Sequence, residues 1–185
     1  MTVHIVGLAG SLRRGSFNKA ALRAAGELLP AGVRLEILEL SDIPFFNEDL
    51  EKEGMPQAVQ DFRARVSAAD AILISTPEYN YSLPPVLKNT LDWGSRGGLN
   101  VWNGKPLAIM SASPGIFGGA RAQYHLRQVC VVLNLLPLNR PEVFIGSANT
   151  KFDADGTLVD EYTRQAITRL LQALTDTARR MNKEQ

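Results

Sequence analysis

The sequence contains few of the residues that build disulfides, metal sites and nucleophilic triads. It has one cysteine and two histidines among 185 residues, so it forms no internal disulfide and has no Cys/His cluster with metal-ligand spacing. Cys130 lies in the apolar segment VCVVL, where a buried thiol packs as a small core residue. His4 and His125 have no acidic neighbour at a spacing that marks a triad. We therefore expect no metal ion and no catalytic side chain.

The sequence also has no long apolar run and no excess of one charge. Its 20 Lys and Arg residues balance 19 Asp and Glu residues, which does not favour nucleic acid or an anionic membrane as partner. No segment approaches the length of a membrane span, and the N-terminal MTVHIVGLAGS has no basic flank before a long apolar core. These absences predict a cytoplasmic protein without a membrane span.

Short apolar runs alternate with amphipathic segments along the chain. The predicted strands are Val3–Leu8, Val33–Leu40, Ala71–Ser75, Pro106–Met110 and Glu142–Ile145. The predicted helices are Phe17–Leu29, Pro56–Ser67, Pro84–Trp93, Gly119–Leu136 and Asp160–Met181. Apolar strands separated by helices indicate an α/β protein whose parallel sheet has helices on both faces. We predict one domain over residues 1–185, a flavodoxin-like doubly wound sandwich with its five strands in the order 2-1-3-4-5.

In such a sheet, ligands bind beyond the carboxyl ends of the strands, near the point where the strand order reverses. The loop after the first strand, GLAGSLRRGSFNKAAL, leads into a helix. It is not a P-loop, because Ser16 and Phe17 stand where Lys and Ser/Thr are required. A helix start offers free N–H groups to an anion, and Ser11, Arg13 and Asn18 add polar groups. The set suits a phosphate monoester without a metal; the alternative is a surface loop whose helix Ser16 caps.

The loop after the third strand, TPEYNYSLPPVLKN, combines a stiff backbone with flat side chains. Pro77 restricts the chain, and Tyr79 and Tyr81 provide aromatic rings with polar tips. We expect the backbone from Glu78 to Asn80 to be open, so that it can bind a planar heterocycle with amide-like edges. The alternative is an irregular connection in which Ser82 caps the next helix.

The loop after the fourth strand, SASPGIFGGARAQ, is rich in glycine. Gly115, Gly118 and Gly119 allow the backbone to approach a ligand closely, and Phe117 is placed to cover one side of it. The alternative is a mobile loop without a ligand. Because the three loops converge on one edge of the predicted sheet, we favour a binding site there.

Three segments together resemble the NADPH-dependent FMN reductase family, in particular its bacterial quinone and chromate reductases. They are GSLRRGSFN, PEYNYSLPPVLKNTLDW and GGARAQYHLRQ, within a resemblance that runs from Met1 to about Ile145. It implies FMN as cofactor and NADPH or NADH as electron donor. It also implies a phosphate site of Ser11, Arg13, Ser16 and Asn18, with Phe17 in the same loop. The residues it places along or near the flavin ring are Pro77, Glu78, Tyr79, Asn80, Ser82, Ser113 and Gly115.

The resemblance further implies the reaction. Two electrons pass in a ping-pong sequence from the nicotinamide, through FMN, to quinones, flavins or oxyanions such as chromate, and the cofactor carries the chemistry. The family commonly forms dimers and sometimes tetramers, so we expect a homodimer or homotetramer. Two alternatives stay open: a non-enzymatic FMN electron carrier, and a flavin-free signalling or phosphate-binding domain. Such carriers tend to be acidic, and a signalling receiver needs acidic residues where this chain has Gly7 to Ser11.

Overall fold

The computed structural model describes residues 2–183. Its strands are β1 (Val3–Ala9), β2 (Val33–Leu38), β3 (Ala71–Thr76), β4 (Pro106–Ala112), β5 (Leu136–Pro137) and β6 (Val143–Ile145). Its helices are α1 (Phe17–Glu27), α2 (Glu48–Glu53), α3 (Gln57–Ser67), α4 (Pro85–Gly94), α5 (Ala120–Leu133) and α6 (Glu161–Lys183), with a 3-10 helix at Ala148–Thr150. None of the helices in this part of the chain is both long and apolar enough to cross a membrane.

The strands form one sheet in the order β2-β1-β3-β4-β5, with β6 also paired to β4. All of these pairings are parallel. The predicted flavodoxin-like order is therefore confirmed, and the strand order reverses beside β1. The carboxyl ends of β1, β3 and β4 lie next to one another, which brings the loops that follow them to the same edge.

The outer edge of the sheet differs from the prediction, because two short strands occupy the fifth position. β5 pairs with Pro106 and Leu107, whereas β6 pairs with the last three residues of β4. Pro137 does not interrupt the pairing with β4, because the N–H groups of Leu136 and Leu138 donate to the carbonyls of Lys105 and Leu107, at 2.9 and 2.8 Å. Residues 138–142, which include Pro141, separate the two short strands. The helix expected to reach Leu136 ends at Leu133, because the next residue adopts a left-handed conformation.

The two faces of the sheet bury separate apolar clusters, one beneath α1 and α6 and the other beneath α3, α4 and α5. Neighbouring strand residues point to opposite faces. In β3, Leu73 packs into the first cluster, whereas Ile72 and Ile74 pack into the second. Burial on both faces explains why the central strands β3 and β4 are predominantly apolar.

Helix α2 was not predicted, because its sequence EDLEKE has no apolar face. No residue in it is buried. Its first turn is held by Asn47, whose side-chain oxygen accepts a hydrogen bond from the Asp49 N–H at 2.9 Å, and the acidic residues there suit the positive end of the helix. Capping and charge, rather than burial, therefore account for this element.

Candidate functional site

A cleft of about 140 Å³ is bounded by the loops that follow β1, β3 and β4. Its lining residues are Ser11, Arg13, Ser16, Phe17, Asn18, Pro77, Glu78, Tyr79, Ala112, Ser113 and Pro114. All of the predicted site residues line it except Asn80, Ser82 and Gly115. The topology thus brings together segments that lie about a hundred residues apart in the sequence.

Two buried serines organise the β1–α1 loop. The Ser16 Oγ accepts hydrogen bonds from the N–H groups of Asn18 and Lys19, at 3.2 and 3.3 Å. The Ser11 Oγ accepts one from the Arg13 N–H at 3.3 Å. Each hydroxyl acts as an acceptor in these contacts and retains its own proton to donate. Capping of α1 by Ser16 is therefore compatible with a role in binding an anion.

The same loop presents donors that no protein group uses. Within residues 2–183, the N–H groups of Gly15, Ser16 and Phe17 donate no backbone hydrogen bond. A Cβ built on Gly15 would meet nothing within 4 Å, so there is open space beside this backbone. The Arg13 guanidinium forms no ion pair or hydrogen bond with the described residues and lies 5.8 Å from the Phe17 ring centroid. A set of donors without a carboxylate fits a phosphate monoester.

The Asn18 side chain, in the first turn of α1, forms hydrogen bonds with β3 and β4, which its sequence context does not indicate. Its amide donates to the Ala112 carbonyl at 2.9 Å and accepts from the Ala112 N–H at 2.9 Å. It also accepts from the Ser75 hydroxyl at 3.0 Å. The buried amide thus ties α1 to β3 and β4, and one Nδ2 hydrogen is left for the predicted phosphate contact.

The β3–α4 loop turns sharply at its tip. Tyr79 and Ser82 exchange two backbone hydrogen bonds, at 3.0 and 2.9 Å. Between them, Asn80 and Tyr81 have φ angles of 49° and 68°, the pattern of a type I′ turn made without glycine. The N–H groups of Glu78 and Asn80 donate no hydrogen bond within residues 2–183. The open backbone expected from Glu78 to Asn80 is thus interrupted at Tyr79.

Two side chains of the β3–α4 loop form their hydrogen bonds with α5. The Glu78 carboxylate accepts from the N–H groups of Arg121 and Ala122, at 3.0 and 3.4 Å, and its other oxygen pairs with the Arg121 guanidinium at 2.9 Å. This carboxylate caps the positive end of α5. The Ser82 Oγ lies 2.7 Å from His125 Nδ1, so Ser82 does not cap α4. Sequence reasoning missed the contacts of Arg121 and His125, since no local spacing signals them.

The β4–α5 loop uses its paired glycines for packing. A Cβ on Gly118 would lie 2.7 Å from the Gly146 nitrogen, and one on Gly119 would lie 2.8 Å from the Ser111 Cβ. Both have positive φ. The expectation that they approach a ligand is therefore corrected: they let the loop pack on β4 and β6. Gly115 is exposed, and its N–H donates to the Ser113 Oγ at 3.2 Å.

A neighbouring cleft of about 220 Å³ shares Ser11 with the first. It is lined by two cations, Lys19 and Arg23, and by the Glu39 carboxylate, which pairs with Lys19 at 2.8 Å and disfavours a phosphate there. Elsewhere, burial raises the pKa of the Cys130 thiol to about 12, as expected for an inert core residue. Among residues 2–183, no group of three or more His, Cys, Asp and Glu side chains is placed to hold a metal ion.

The sheet order defines a flavodoxin-like α/β protein with donor-lined loops at the carboxyl ends of its strands. The model of the NADPH-dependent FMN reductase family matches residues 3–150. The chain is 51% identical over 179 residues to an NAD(P)H-dependent FMN reductase of Pseudomonas aeruginosa, with 97% of each sequence covered. It is 46% identical over 178 residues to an NAD(P)H:quinone oxidoreductase of Solanum tuberosum, covering 93% of this chain and 91% of that one.

Among solved structures, the chain is similar to FerB, a flavoenzyme NAD(P)H:(acceptor) oxidoreductase from Paracoccus denitrificans. The TM-score is 0.88 at 32% identity, and the match covers 97% of this chain and 98% of that one. The chain belongs to the NADPH-dependent FMN reductase family. The predicted family, oxidoreductase activity and cofactors are thereby confirmed, and the electron-carrier and flavin-free alternatives are set aside.

Proposed function

We propose that residues 1–185 form a single FMN-binding domain that reduces quinones with electrons from NADPH or NADH. The observation that carries the proposal is the position of the donor-only loop after β1 beside the free N–H groups of Glu78 and Asn80. The donors of the β1–α1 loop suit a phosphate, and the N–H groups of Glu78 and Asn80 suit the polar edge of a flavin ring. Relatives named as quinone reductases, from potato and from Pseudomonas putida, support quinones as acceptors.

The phosphate end of the cofactor is assigned to the β1–α1 loop. Arg13 supplies the positive charge, and the Ser11 and Ser16 hydroxyls donate hydrogen bonds. The free N–H groups at the start of α1 are further hydrogen-bond donors. A hydrogen bond to a charged group contributes about 1.5–3 kcal/mol, whereas an exposed helix terminus adds about 0.3–1 kcal/mol. Arg13 and the two serines therefore make the larger contribution.

The ring is assigned to the rim of the cleft, along Pro77, Glu78, Tyr79 and Asn80. A cleft of about 140 Å³ is smaller than typical cofactor pockets of roughly 300–1,000 Å³, so it encloses the phosphate and ribityl chain and leaves the ring at the open edge. Tyr79 and Phe117 are 49% and 58% exposed at this rim. An exposed ring face is accessible to the nicotinamide and, after its departure, to the acceptor. This sequential use of one face is the basis of the proposed ping-pong order.

Bound FMN supplies hydride acceptance and two-electron donation. The role of this chain is to bind, orient and polarise: the N–H groups of Glu78 and Asn80 donate toward the polar edge of the ring, where they stabilise negative charge. No side chain is assigned a proton-transfer or nucleophilic role. Because the open rim makes few demands on acceptor shape, we include flavins and oxyanions such as chromate as further acceptors.

We further propose that the chain acts in the cytoplasm as a homodimer or homotetramer. Large apolar side chains are exposed near the rim and along α5, including Ile116 at 79% and Val131 and Val132 at 81% each. Val131 and Val132 are adjacent near the end of α5, and exposed apolar side chains that lie together support a protein–protein contact there. Light scattering of the purified protein tests the assignment, and a monomer at micromolar concentration would contradict it.

The function is tested by an absorbance spectrum followed by anaerobic titration. We expect the purified protein to bind FMN and the flavin absorbance to bleach when NADPH or NADH is added, then to recover when a benzoquinone follows. Initial rates at several quinone concentrations give parallel reciprocal plots for a ping-pong order and intersecting plots for a ternary complex. A protein that does not bind added FMN would overturn the proposal.

A further inference from the structure

The side chain of Arg121 lies where the loops after β3 and β4 meet. Its Cζ is 4.0 Å from the Tyr81 ring centroid and 4.5 Å from the Phe117 ring centroid. Its Nη1 pairs with the Glu78 carboxylate at 2.9 Å. Two of these three partners belong to the β3–α4 loop and one to the β4–α5 loop. A single guanidinium thus connects both loops to the first turn of α5.

Arginine is suited to this position in a way that other cations are not. Its planar group has two faces for aromatic rings and an edge of N–H donors for a carboxylate. The Glu78 side chain is 13% exposed and that of Arg121 is 36% exposed, so their ion pair is partly screened from water and weakens less with salt than a surface pair. We define Arg121, Glu78, Tyr81 and Phe117 as the arginine bracket.

Backbone hydrogen bonds between Tyr79 and Ser82 and the close packing of Gly118 and Gly119 hold each loop by itself, and the stacking on Arg121 adds a link between the two loops. Tyr81 has a φ of 68°, which is costly for a bulky residue and persists only where neighbouring contacts enforce it. Phe117 precedes two glycines with positive φ, and its ring is 58% exposed. The stacking on Arg121 is the contact that the two rings share.

We propose that Arg121 is a positioning residue that fixes these two loops relative to each other and thereby holds the Glu78 and Asn80 N–H groups in place for the flavin ring. The inference rests on the proposed function for its second half. Its first half concerns the loops alone and is testable whether or not FMN binds.

The first measurement is hydrogen exchange of the full-length chain without added FMN. In Arg121→Ala, we expect the amides of Tyr79 and Ser82 to exchange at least ~10-fold faster than in the parent, because the turn opens more often. Arg121→Lys, which keeps the charge but not the planar stack, gives an intermediate rate. The control is Arg127→Ala, on the same helix, whose guanidinium donates instead to the Leu138 carbonyl at 2.8 Å; it leaves these amides unchanged.

The second measurement is the FMN dissociation constant, followed by quenching of flavin fluorescence. We expect it to rise about tenfold in Arg121→Ala, to rise less in Arg121→Lys, and to be unchanged in Arg127→Ala, because a loosened rim must be ordered again on binding. If Arg121→Ala does not fold, the lysine variant alone carries both measurements.

The outcomes separate the two proposals. A folded Arg121→Ala with the parent's exchange rates overturns the first half of the inference, whereas faster exchange with unchanged FMN affinity overturns the second half. If the parent itself does not bind FMN, the proposed function fails, while the exchange data still decide whether Arg121 fixes the loops.

Discussion

Polar groups at the amino ends of the strands, here the amino edge, are hydrogen-bonded within the protein, whereas several at the carboxyl ends, the carboxyl edge, are not. At the amino edge, where the strands begin, the His4 N–H donates to Asp70 at 2.7 Å and the His4 ring meets Glu36 at 3.0 Å. Asp70 also accepts from Asn182 at 2.9 Å. The Lys105 ammonium donates to the carbonyls of residues 67 and 69, at 3.0 and 2.6 Å. These polar groups find their partners within the protein.

At the carboxyl edge, Arg13 and the N–H groups at the start of α1 have no such partners among residues 2–183. Arg13 is exposed and therefore solvated in the absence of a ligand, so its lack of a protein partner leaves it available to bind an anion. The difference teaches which polar residues stabilise the fold and which bind. It predicts that substitutions at the amino edge change stability alone, whereas those in the cleft change FMN affinity.

Asn18 is an exception to this comparison, because it lies at the carboxyl edge but forms three hydrogen bonds inside the protein. Asn18→Ala removes three buried hydrogen bonds, so we expect a loss of about 2–3 kcal/mol in the free energy of unfolding, together with weaker FMN binding. Urea denaturation measures the first effect and fluorescence titration the second. Ser75→Ala, which removes one of these bonds, serves as the control and costs about 1 kcal/mol. An Asn18→Ala variant as stable as the parent would show that Asn18 does not hold α1 to β3 and β4.

Arg13→Ala is the test of a purely binding residue. We expect FMN to bind roughly ten- to a hundredfold more weakly, because one charged donor to the phosphate is lost. The free energy of unfolding without FMN stays within about 0.5 kcal/mol of the parent, as for exposed residues without partners. Arg14→Ala, the adjacent exposed arginine, is the matched control. Undiminished FMN affinity in equilibrium dialysis of Arg13→Ala would show that the phosphate is bound elsewhere.

Lys105→Met tests a purely stabilising residue at the amino edge. Burial lowers the pKa of Lys105, while the nearby Asp70 charge acts in the opposite direction, so desolvation offsets part of the gain from its two hydrogen bonds. We expect a loss of about 1 kcal/mol in unfolding free energy and no change in FMN affinity. Lys88→Met, which removes an exposed pair with Asp92 one helical turn away, costs less than about 0.5 kcal/mol. Weaker FMN binding in Lys105→Met would contradict the prediction that substitutions at the amino edge change stability alone.

Asp160→Asn gives the smallest effect and depends on pH. Hydrogen bonds from the Thr163 side chain and then from its backbone lower the pKa of Asp160 in the folded state. The charged form therefore stabilises the fold above the unfolded-state pKa, and this contribution is lost as the pH falls through the lower folded value. Asparagine caps a helix about equally well but does not titrate. In urea melts between pH 6 and pH 3, roughly the titration range of carboxylates, we expect the parent to lose its advantage over the variant; a constant difference would refute this assignment.

The central strands could be predicted from the sequence because burial on both faces makes them predominantly apolar, whereas the edge strand β2 also contains Arg34 and Glu36. Residues 3–8 were predicted for β1, and the strand ends at Ala9. The division of the outer edge into β5 and β6 could not be predicted in the same way, since a strand of two residues carries no periodic signal. Likewise, α2 follows from capping rather than from an apolar face.

The residue types of the site could be predicted more readily than their contacts. The β1–α1 loop is recognised by its local composition, because free N–H groups, hydroxyls and a guanidinium follow one another in sequence. By contrast, Asn18 finds its partner 94 residues away and Glu78 finds its partner 43 residues away. Such contacts are set by how the strands are ordered in space. Neither the hydrogen bonds of Asn18 nor the arginine bracket is therefore indicated by a local sequence pattern.

The divided outer edge also bears on how copies of this chain can associate. An exposed strand with an unbroken row of N–H and C=O groups recruits other chains into a shared sheet. Here the outermost strands are two and three residues long, and Pro137 interrupts the donor row. Growth of a sheet from one molecule to the next is thereby blocked at this edge. The proposed homo-oligomer would associate on this side of the molecule through side-chain surfaces such as the valines of α5, which allows a closed particle of finite size.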